Sequence, residues 1–386
     1  MELKVYDTSL TPLGVIDEIT SLIWKPTYWD EGTVGDCKML VPMTANNLAL
    51  LVKGNILVLH DGKPEYQDGT GNWRRAAQLK YRHITKDVNG AEQIEVQGYF
   101  LKKWLSKRVV LNQIVTTATI QAKINRIVRE NHGSSAAVRR QLPRFDLLQQ
   151  EDLGGTATEY SSEFMIDAGK EIYNLALAGK LGYDIYVNER TQRYGFYLFK
   201  GKDLTSGNKE GNTPSIFSRD FDNVNEQEYV ESEEGVKNVM YATGAADEAG
   251  TVPLVEVDQG GEGLDRDEVY VDMSSIARKY KNEQDVEITI PESDYIKMIA
   301  DAEAKSLEDY QESVSFTALL NPSSSFKLGE DYDLGDRVTV LEKNWGIRID
   351  VRITAVCKTF QDGTKEIELT LGESLPTLLK QIRKVR

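Results

Sequence analysis

The amino-acid sequence predicts an α+β protein that is mainly β and antiparallel. Three observations carry this. Apolar Ile347, Ile349, Val351, Ile353 and Ala355 alternate with polar Arg348, Asp350, Arg352 and Thr354, the period of two that a strand with one dry face imposes. Dipeptides suited to tight reversals, Asp61-Gly62, Asn89-Gly90 and Asp362-Gly363, separate such runs. The helical period of 3.6 is confined to a few short segments between them.

From Glu2 to about Gly98 the pattern is β. LKVYD, SLIWKPTYW, CKMLVP with Cys37, Met39 and Val41 on one face, and NILVLHDG read as strands. A short helix, TANNLALLVKG, opens at the N-capping Thr44 and stops at Gly54. QLKYRHITKD and AEQIEVQG flank Asn89-Gly90 as a hairpin. Residues 1–100 thus form a first β module.

Residues 101–205 read as an α+β insertion. In TTATIQAKINRIVREN, Ile120, Ile124, Ile127 and Val128 make one stripe of a helix, capped by Thr116 or Thr117. In DAGKEIYNLALAGKLG the stripe is Ala168, Ile172, Leu175 and Ala176, and Gly179 or Gly182 ends it. YDIYVN and RYGFYLFKG, joined by the polar turn Glu189 to Gln192, form a hairpin for these helices to cover. Residues 206–290 hold the strand VKNVMYATG and an acidic, glycine-rich loop. Residues 291–386 supply a helix entered at Pro291 and Glu292, with Ile296, Ile299, Ala300, Leu307 and Tyr310 at helical spacing, then SFTALLN. A three-stranded meander closes the chain at Arg337 to Leu341, Gly346 to Val356 and Lys365 to Leu371.

Composition excludes several function classes. The net charge is -15, so the chain lacks the basic surface from which counterion release draws nucleic-acid affinity. Local exceptions are Lys102, Lys103, Lys107 and Arg108 around Trp104, followed by Arg126, Arg129, Arg139, Arg140 and Arg144, which read as basic helix faces or a subunit contact. Acid concentrates between Arg219 and Asp272, a solvated loop by the plainer reading. No apolar run approaches the ~20 residues of a membrane span, and the N-terminus lacks a signal-peptide pattern. Cys37 and Cys357, far apart, read as buried small hydrophobes.

Reactive motifs are missing. His60, His83 and His132 are not at metal-ligand spacing. There is no GxSxG elbow, no CxxC and no Walker loop, since Asn174 stands where Gly179-Lys180 would need a glycine upstream. Gly260 to Asp265 reads as a flexible loop and not a dinucleotide fingerprint, and the segment at Asp68 as a tight turn and not a calcium loop. Nothing singles out a carboxylate pair for glycoside hydrolysis. No catalytic, cofactor-binding or metal-binding residue is therefore expected.

A resemblance orders these pieces. SLIWKPTYWDEGTVGDCKMLVPMTANNLALLVKGNILVL, EVQGYFLKKWLSKRVV, GKDLT with FSRDFDNVNEQEYVESEEGVKNVMYATG, GLDRDEVYVDMSSI, and YDLGDRVTV with RITAV are similar, in that order, to the tail-tip or baseplate hub proteins of long-tailed bacteriophages. That grouping takes in minor tail proteins, the N-terminal region of tail-associated lysins and prophage endopeptidase tails. The resemblance spans essentially the whole chain. It implies two antiparallel β-barrel-like tube domains per subunit, with α+β insertions outside them, in a homotrimer at the virion tail tip. That trimer adapts the sixfold tail tube to threefold symmetry. It meets the distal tail protein, the tube, the tape measure and receptor-binding or fibre proteins, while the genome passes through the lumen without specific binding.

The same resemblance gives the meander's polar face a role. Arg348, Asp350 and Arg352 would be subunit-interface or lumen residues, or else simply solvated. Trp24, Tyr28 and Trp29 would be core or inter-subunit packing. Part of the -15 charge would line the channel and keep DNA from gripping it. Many family members continue into a hydrolase or fibre domain, whereas this chain stops at Gln381 to Arg386 soon after the meander, so no enzyme is expected. The competing readings are a cell-wall hydrolase and a carbohydrate-binding module presenting Trp24, Tyr28 and Trp29.

Overall fold

A computed structural model describes residues 1–372 apart from 17, 30–35, 234, 282–285, 308–309, 311–312 and 362. The described residues divide into two compact units, 1–228 with 316–372, and 229–315. Among them no helix is long and apolar enough to cross a membrane.

The first unit opens with β1 (Glu2–Tyr6), β2 (Pro12–Val15), β3 (Ser21–Trp24) and β4 (Asp36–Pro42). Helix α1 (Ala45–Leu50) follows, and Thr44 Oγ1 caps it by accepting from the Asn47 amide at 3.0 Å. Next come β5 (Ile56–His60), β6 (Tyr66–Asp68), β7 (Gly71–Lys86) and β8 (Glu92–Phe100). The antiparallel ladder runs β2-β1-β5-β7-β8-β4-β3. Cys37, Met39 and Val41 share the buried face, packed among Leu22, Trp24, Val96 and Phe100. The β7–β8 connection is longer than a two-residue turn. Asp87 Oδ1 accepts from the amides of Asn89 and Ala91, and Gly90 takes a φ of +86° that its missing side chain permits.

The insertion runs through β9 (Val115–Ala118), α2 (Ile120–Asn131), β10 (Phe145–Leu147), β11 (Thr158–Ser161), α3 (Ala168–Ala178), β12 (Gly182–Asn188) and β13 (Arg193–Phe199). The cap of α2 is Thr119, whose Oγ1 accepts from the Ala122 amide. The expected caps Thr116 and Thr117 belong to β9, where they pair with Tyr160 and Glu159 of β11. A run of β-branched residues satisfies its backbone in a strand before the helix begins. Ile124, Ile127 and Val128 of α2 and Ala168, Ile172, Leu175 and Ala176 of α3 bury against Tyr183, Ile185, Val187, Tyr194, Phe196 and Leu198. The helices cover the hairpin, and α3 ends at Gly179.

After β14 (Asp203–Leu204), β15 (Ile216–Phe217) and β16 (Val224–Ser232) the chain enters the second unit. There β17 (Val239–Thr243) lies between antiparallel β18 (Leu254–Asp258) and parallel β19 (Glu268–Asp272). A small hairpin, β20 (Lys279–Lys281) with β21 (Glu287–Thr289), precedes α4 (Glu292–Leu307). Tyr295, Ile299 and Leu307 of α4 pack on Met240, Ala242 and Val255. Ile296, expected in that stripe, is exposed; Tyr295 takes the inward position, its hydroxyl donating to Ile276 O and accepting from the Ala245 amide.

The chain returns to the first unit through β22 (Ser313–Leu320), followed by β23 (Arg337–Glu342), β24 (Ile347–Gln361) and β25 (Thr364–Gly372). β24 pairs with β23 and β25 as the meander predicts, and also with β3, Lys358 opposite Trp24. The first and last strands of the described chain therefore share one sheet. Asp362 and Gln381 to Arg386 lie outside the described residues. The alternation in β24 holds only for its first half. Arg348 and Asp350 are exposed, but Ile353 to Val356 are all buried, where the register shifts between Ile353 and Ala355.

Candidate functional site

The sequence-predicted residues converge on a joint in the first unit. β3 leads into Thr27, which bridges to Ala355, and the Tyr28 amide donates to Thr354 O at 2.8 Å. Tyr28 is fully buried in a slot made by glycines distant in sequence, Gly182 at the start of β12 and Gly335 in the turn before β23. A Cβ on Gly182 or on Gly335 would stand 2.3 Å from its ring, so only a residue without a side chain fits at either place. Gly335 also holds a φ of +98°, and a Cβ on Gly201 would meet Gly335 O at 1.8 Å. The Tyr28 hydroxyl reaches Lys180 O at 3.1 Å, with Phe199 O as a second acceptor at 3.4 Å.

Arg352 closes the joint. Its guanidinium lies 5.1 Å from the centre of the Tyr28 ring and donates to Gly335 O. Burial pulls Arg352 down from its ordinary pKa, with Tyr28 and Asp336 opposing that and Arg337 adding to it. Burial also pushes the Asp336 carboxyl up to about 6, although its oxygens accept from the Lys202 amide at 2.7 Å and the Asp333 amide at 2.8 Å. Nearby, Arg75 of β7 is buried against Asp184 of β12 at 2.8 Å, with Glu65 and Tyr186 alongside.

Of the two packing roles expected for the aromatics, the structure gives Trp24 and Tyr28 the core one, and it draws Arg352 away from the exposed face expected for it. Trp24 is buried edge-on to Phe100, with 4.9 Å between ring centres. Trp29 is half-buried and donates from Nε1 to Leu181 O at 2.9 Å. Trp24 is a core residue because β3 turns it into the apolar layer that holds Phe100 and Met39, Tyr28 because the glycine slot admits its ring, and Arg352 lies half-buried over that ring. Arg348 and Asp350 stay at the surface, bonded to Ser206 Oγ at 3.0 Å and Thr339 Oγ1 at 2.5 Å. The residues that reasoning from sequence missed are Gly182, Gly201 and Gly335. The one local signal was a glycine in LGDRV at a strand entry.

Chemically, the joint holds groups in place and leaves none poised. Both Asp336 oxygens are committed to backbone amides. Among the described residues no three His, Cys, Asp or Glu side chains converge to hold a metal. Charge is segregated along the chain. Residues 229–315, one compact unit, carry 22 acidic and 7 basic side chains, a net -15 that equals that of the whole chain. Residues 101–145 carry ten basic side chains and one acidic one, Glu130.

Solved structures share this architecture over nearly their full length. The 43 kDa tail protein of prophage MuSo2 from Shewanella oneidensis aligns with TM-score 0.57 at 10% identity over 96% of this chain and 98% of that one. A tail protein from Neisseria meningitidis MC58 aligns with TM-score 0.55 at 10% identity over 97% and 96%. Prophage tail protein gp18 from Listeria monocytogenes EGD-e aligns with TM-score 0.53 at 12% identity over 100% and 98%. At such identities the likeness establishes the fold, that of prophage tail proteins. No curated protein matches the sequence. A match to the family described as Siphovirus ReqiPepy6 Gp37-like protein spans residues 2–373, and the chain belongs to that family.

Proposed function

We propose that this chain is a non-enzymatic structural hub of a bacteriophage tail tip. Three copies close or extend the tail tube, with their sheets as barrel-like walls, and adapt its sixfold symmetry to threefold. The distal tail protein and receptor-binding or fibre proteins dock on the outside. The observation that carries this reading is the end-to-end likeness to prophage tail proteins, with 96–100% of both chains covered. The joint supports it, since a load-bearing ring needs both ends of each subunit tied into one sheet, as β3 and β24 are. The commitment of Asp336 to backbone amides, and the burial of Trp24 and Tyr28, favour this role over hydrolysis or a saccharide platform.

The test is native mass measurement of the purified chain, alone and with its distal tail neighbour. A species of three times 43.4 kDa is expected. A particle that stays at one subunit in both preparations overturns the reading.

A further inference from the structure

We propose that the acidic loop at Glu262 to Asp265 of one copy docks into an arginine-lined concavity between α2 and β10 of the next copy. This rests on the oligomeric reading above and names one of its contacts. The concavity has a volume of about 420 Å³ and is lined by Arg129, Arg144, Arg193, Ser134, Leu142 and Leu147, among others. Asp146 neutralises Arg193. Arg144 donates hydrogen bonds to Ser9 O and Gln192 Oε1 and interacts electrostatically with Asp7. Arg129 is exposed at the end of α2 and makes no ion pair among the described residues. Arg129 therefore faces the hollow outside any ion pair among the described residues, and Arg144 has only the more distant Asp7 as a counter-charge. The acid of this segment, Glu130, is held by Arg126 at 2.7 Å, and Val138 stands 86% exposed on the adjoining turn.

The loop is complementary in charge and shape. Leu264 is fully exposed at its tip, on a 3-10 turn at Gly263–Asp265. Glu262 and Asp265 flank it without ion pairs among the described residues, whereas neighbouring Glu256, Asp258 and Glu268 all bind Arg266. The turn is preset: Asn238 Nδ2 donates to Asp265 O at 2.5 Å, and Gly261, with φ +102°, leaves no room for a side chain against that carbonyl. A fixed knob with an apolar tip and two carboxylates outside any ion pair matches a hollow floored by two half-buried leucines and edged by Arg129 and Arg144. The net -15 of the surrounding unit steers it there. Leu142 and Leu147, half-buried and already packed on the core of the first unit, floor the hollow, and the occupant is set by charge: residues 101–145 carry ten basic side chains and one acidic one, while residues 229–315 hold a net -15.

Two full-length single variants, Leu264→Cys and Ser134→Cys, are mixed and treated with a mild thiol oxidant. The wild type, with Cys37 buried and Cys357 half-buried, sets the background. A covalent dimer is expected from the mixture and from neither variant alone. Separately, Arg129→Glu with Arg144→Glu, and Glu262→Lys with Asp265→Lys, should each weaken self-association at least about tenfold, and mixing the two should restore it. A trimer indifferent to every variant, with no cross-link, overturns the contact and leaves the hub reading standing. A wild-type chain that never assembles overturns both.

Discussion

Tyr28 carries more of this fold than any single position in the sequence suggests. Its hydroxyl, ring face and ring edge engage the insertion, Arg352 and two glycines, each from a different part of the chain. Removing the hydroxyl in Tyr28→Phe deletes one buried hydrogen bond and should cost about 1 kcal/mol. Gly335→Ala puts a methyl group into the ring and strains a positive φ, so it should cost about 3 kcal/mol or more. The midpoint of denaturant unfolding checks both, and equal losses for the two variants would contradict the slot. The cluster Trp24, Tyr28 and Trp29 was visible as chemistry but ambiguous as location. Whether an aromatic faces a partner or a core depends on Gly182 and Gly335, 154 and 307 positions downstream of Tyr28, and local pattern carries nothing about them.

Strands were more legible than their surroundings. The period of two located β4 and the first half of β24, because a strand with one buried face writes that face into every second residue, whereas β5 and β12, buried on both faces, showed as short apolar and aromatic runs between turn signals. It did not foresee that β24 would be buried on both faces from Ile353 to Val356, where the segment after β3 crosses it at Thr27 and Tyr28. Helix faces slipped by one residue in α4 for a similar reason: Tyr295 can both fill space and bond, and it displaced Ile296. The same helix buries Glu303, whose carboxylate oxygens have no hydrogen-bond partner among the described residues. Burial pushes its pKa up to about 7. The unfolded chain ionises this group near the ordinary carboxylate pKa of about 4.3, while the folded unit resists until about 7. Stability is therefore fullest below about pH 4.3 as far as Glu303 is concerned, and declines as pH rises toward 7. Glu303→Gln should remove that decline and stabilise the second unit at pH 8 by about 2 kcal/mol. Thermal melts of both proteins between pH 4.5 and 8 check it; parallel pH profiles would show that the buried carboxylate is not the cause.

At the scale of the molecule, the net charge looks like a property of the chain and is a property of one unit. Outside residues 229–315 acidic and basic side chains balance at 39 each, while inside them 22 face 7. The first unit, 1–228 with 316–372, carries 38 acidic and 35 basic side chains, so most of the acidity that the sequence suggested for a channel wall lies in the other unit. It also separates the two units energetically. A small body with net charge -15 repels itself, and that repulsion is long-ranged at low salt. The screening length falls from about 30 Å at 0.01 M to about 3 Å at 1 M, so added salt should relieve the repulsion within the second unit and do little for the balanced one. Buried pairs such as Arg75 with Asp184 are shielded from that screening and keep the first unit steady. Calorimetry across this range should resolve two transitions, the lower rising by several degrees with salt while the upper stays within about a degree or two. Assigning them is direct, since Glu303→Gln should move the lower transition alone and Tyr28→Phe the upper alone. A single transition that both substitutions shift together would mean that the chain unfolds as one body, and the charge of 229–315 would then weigh on the whole fold.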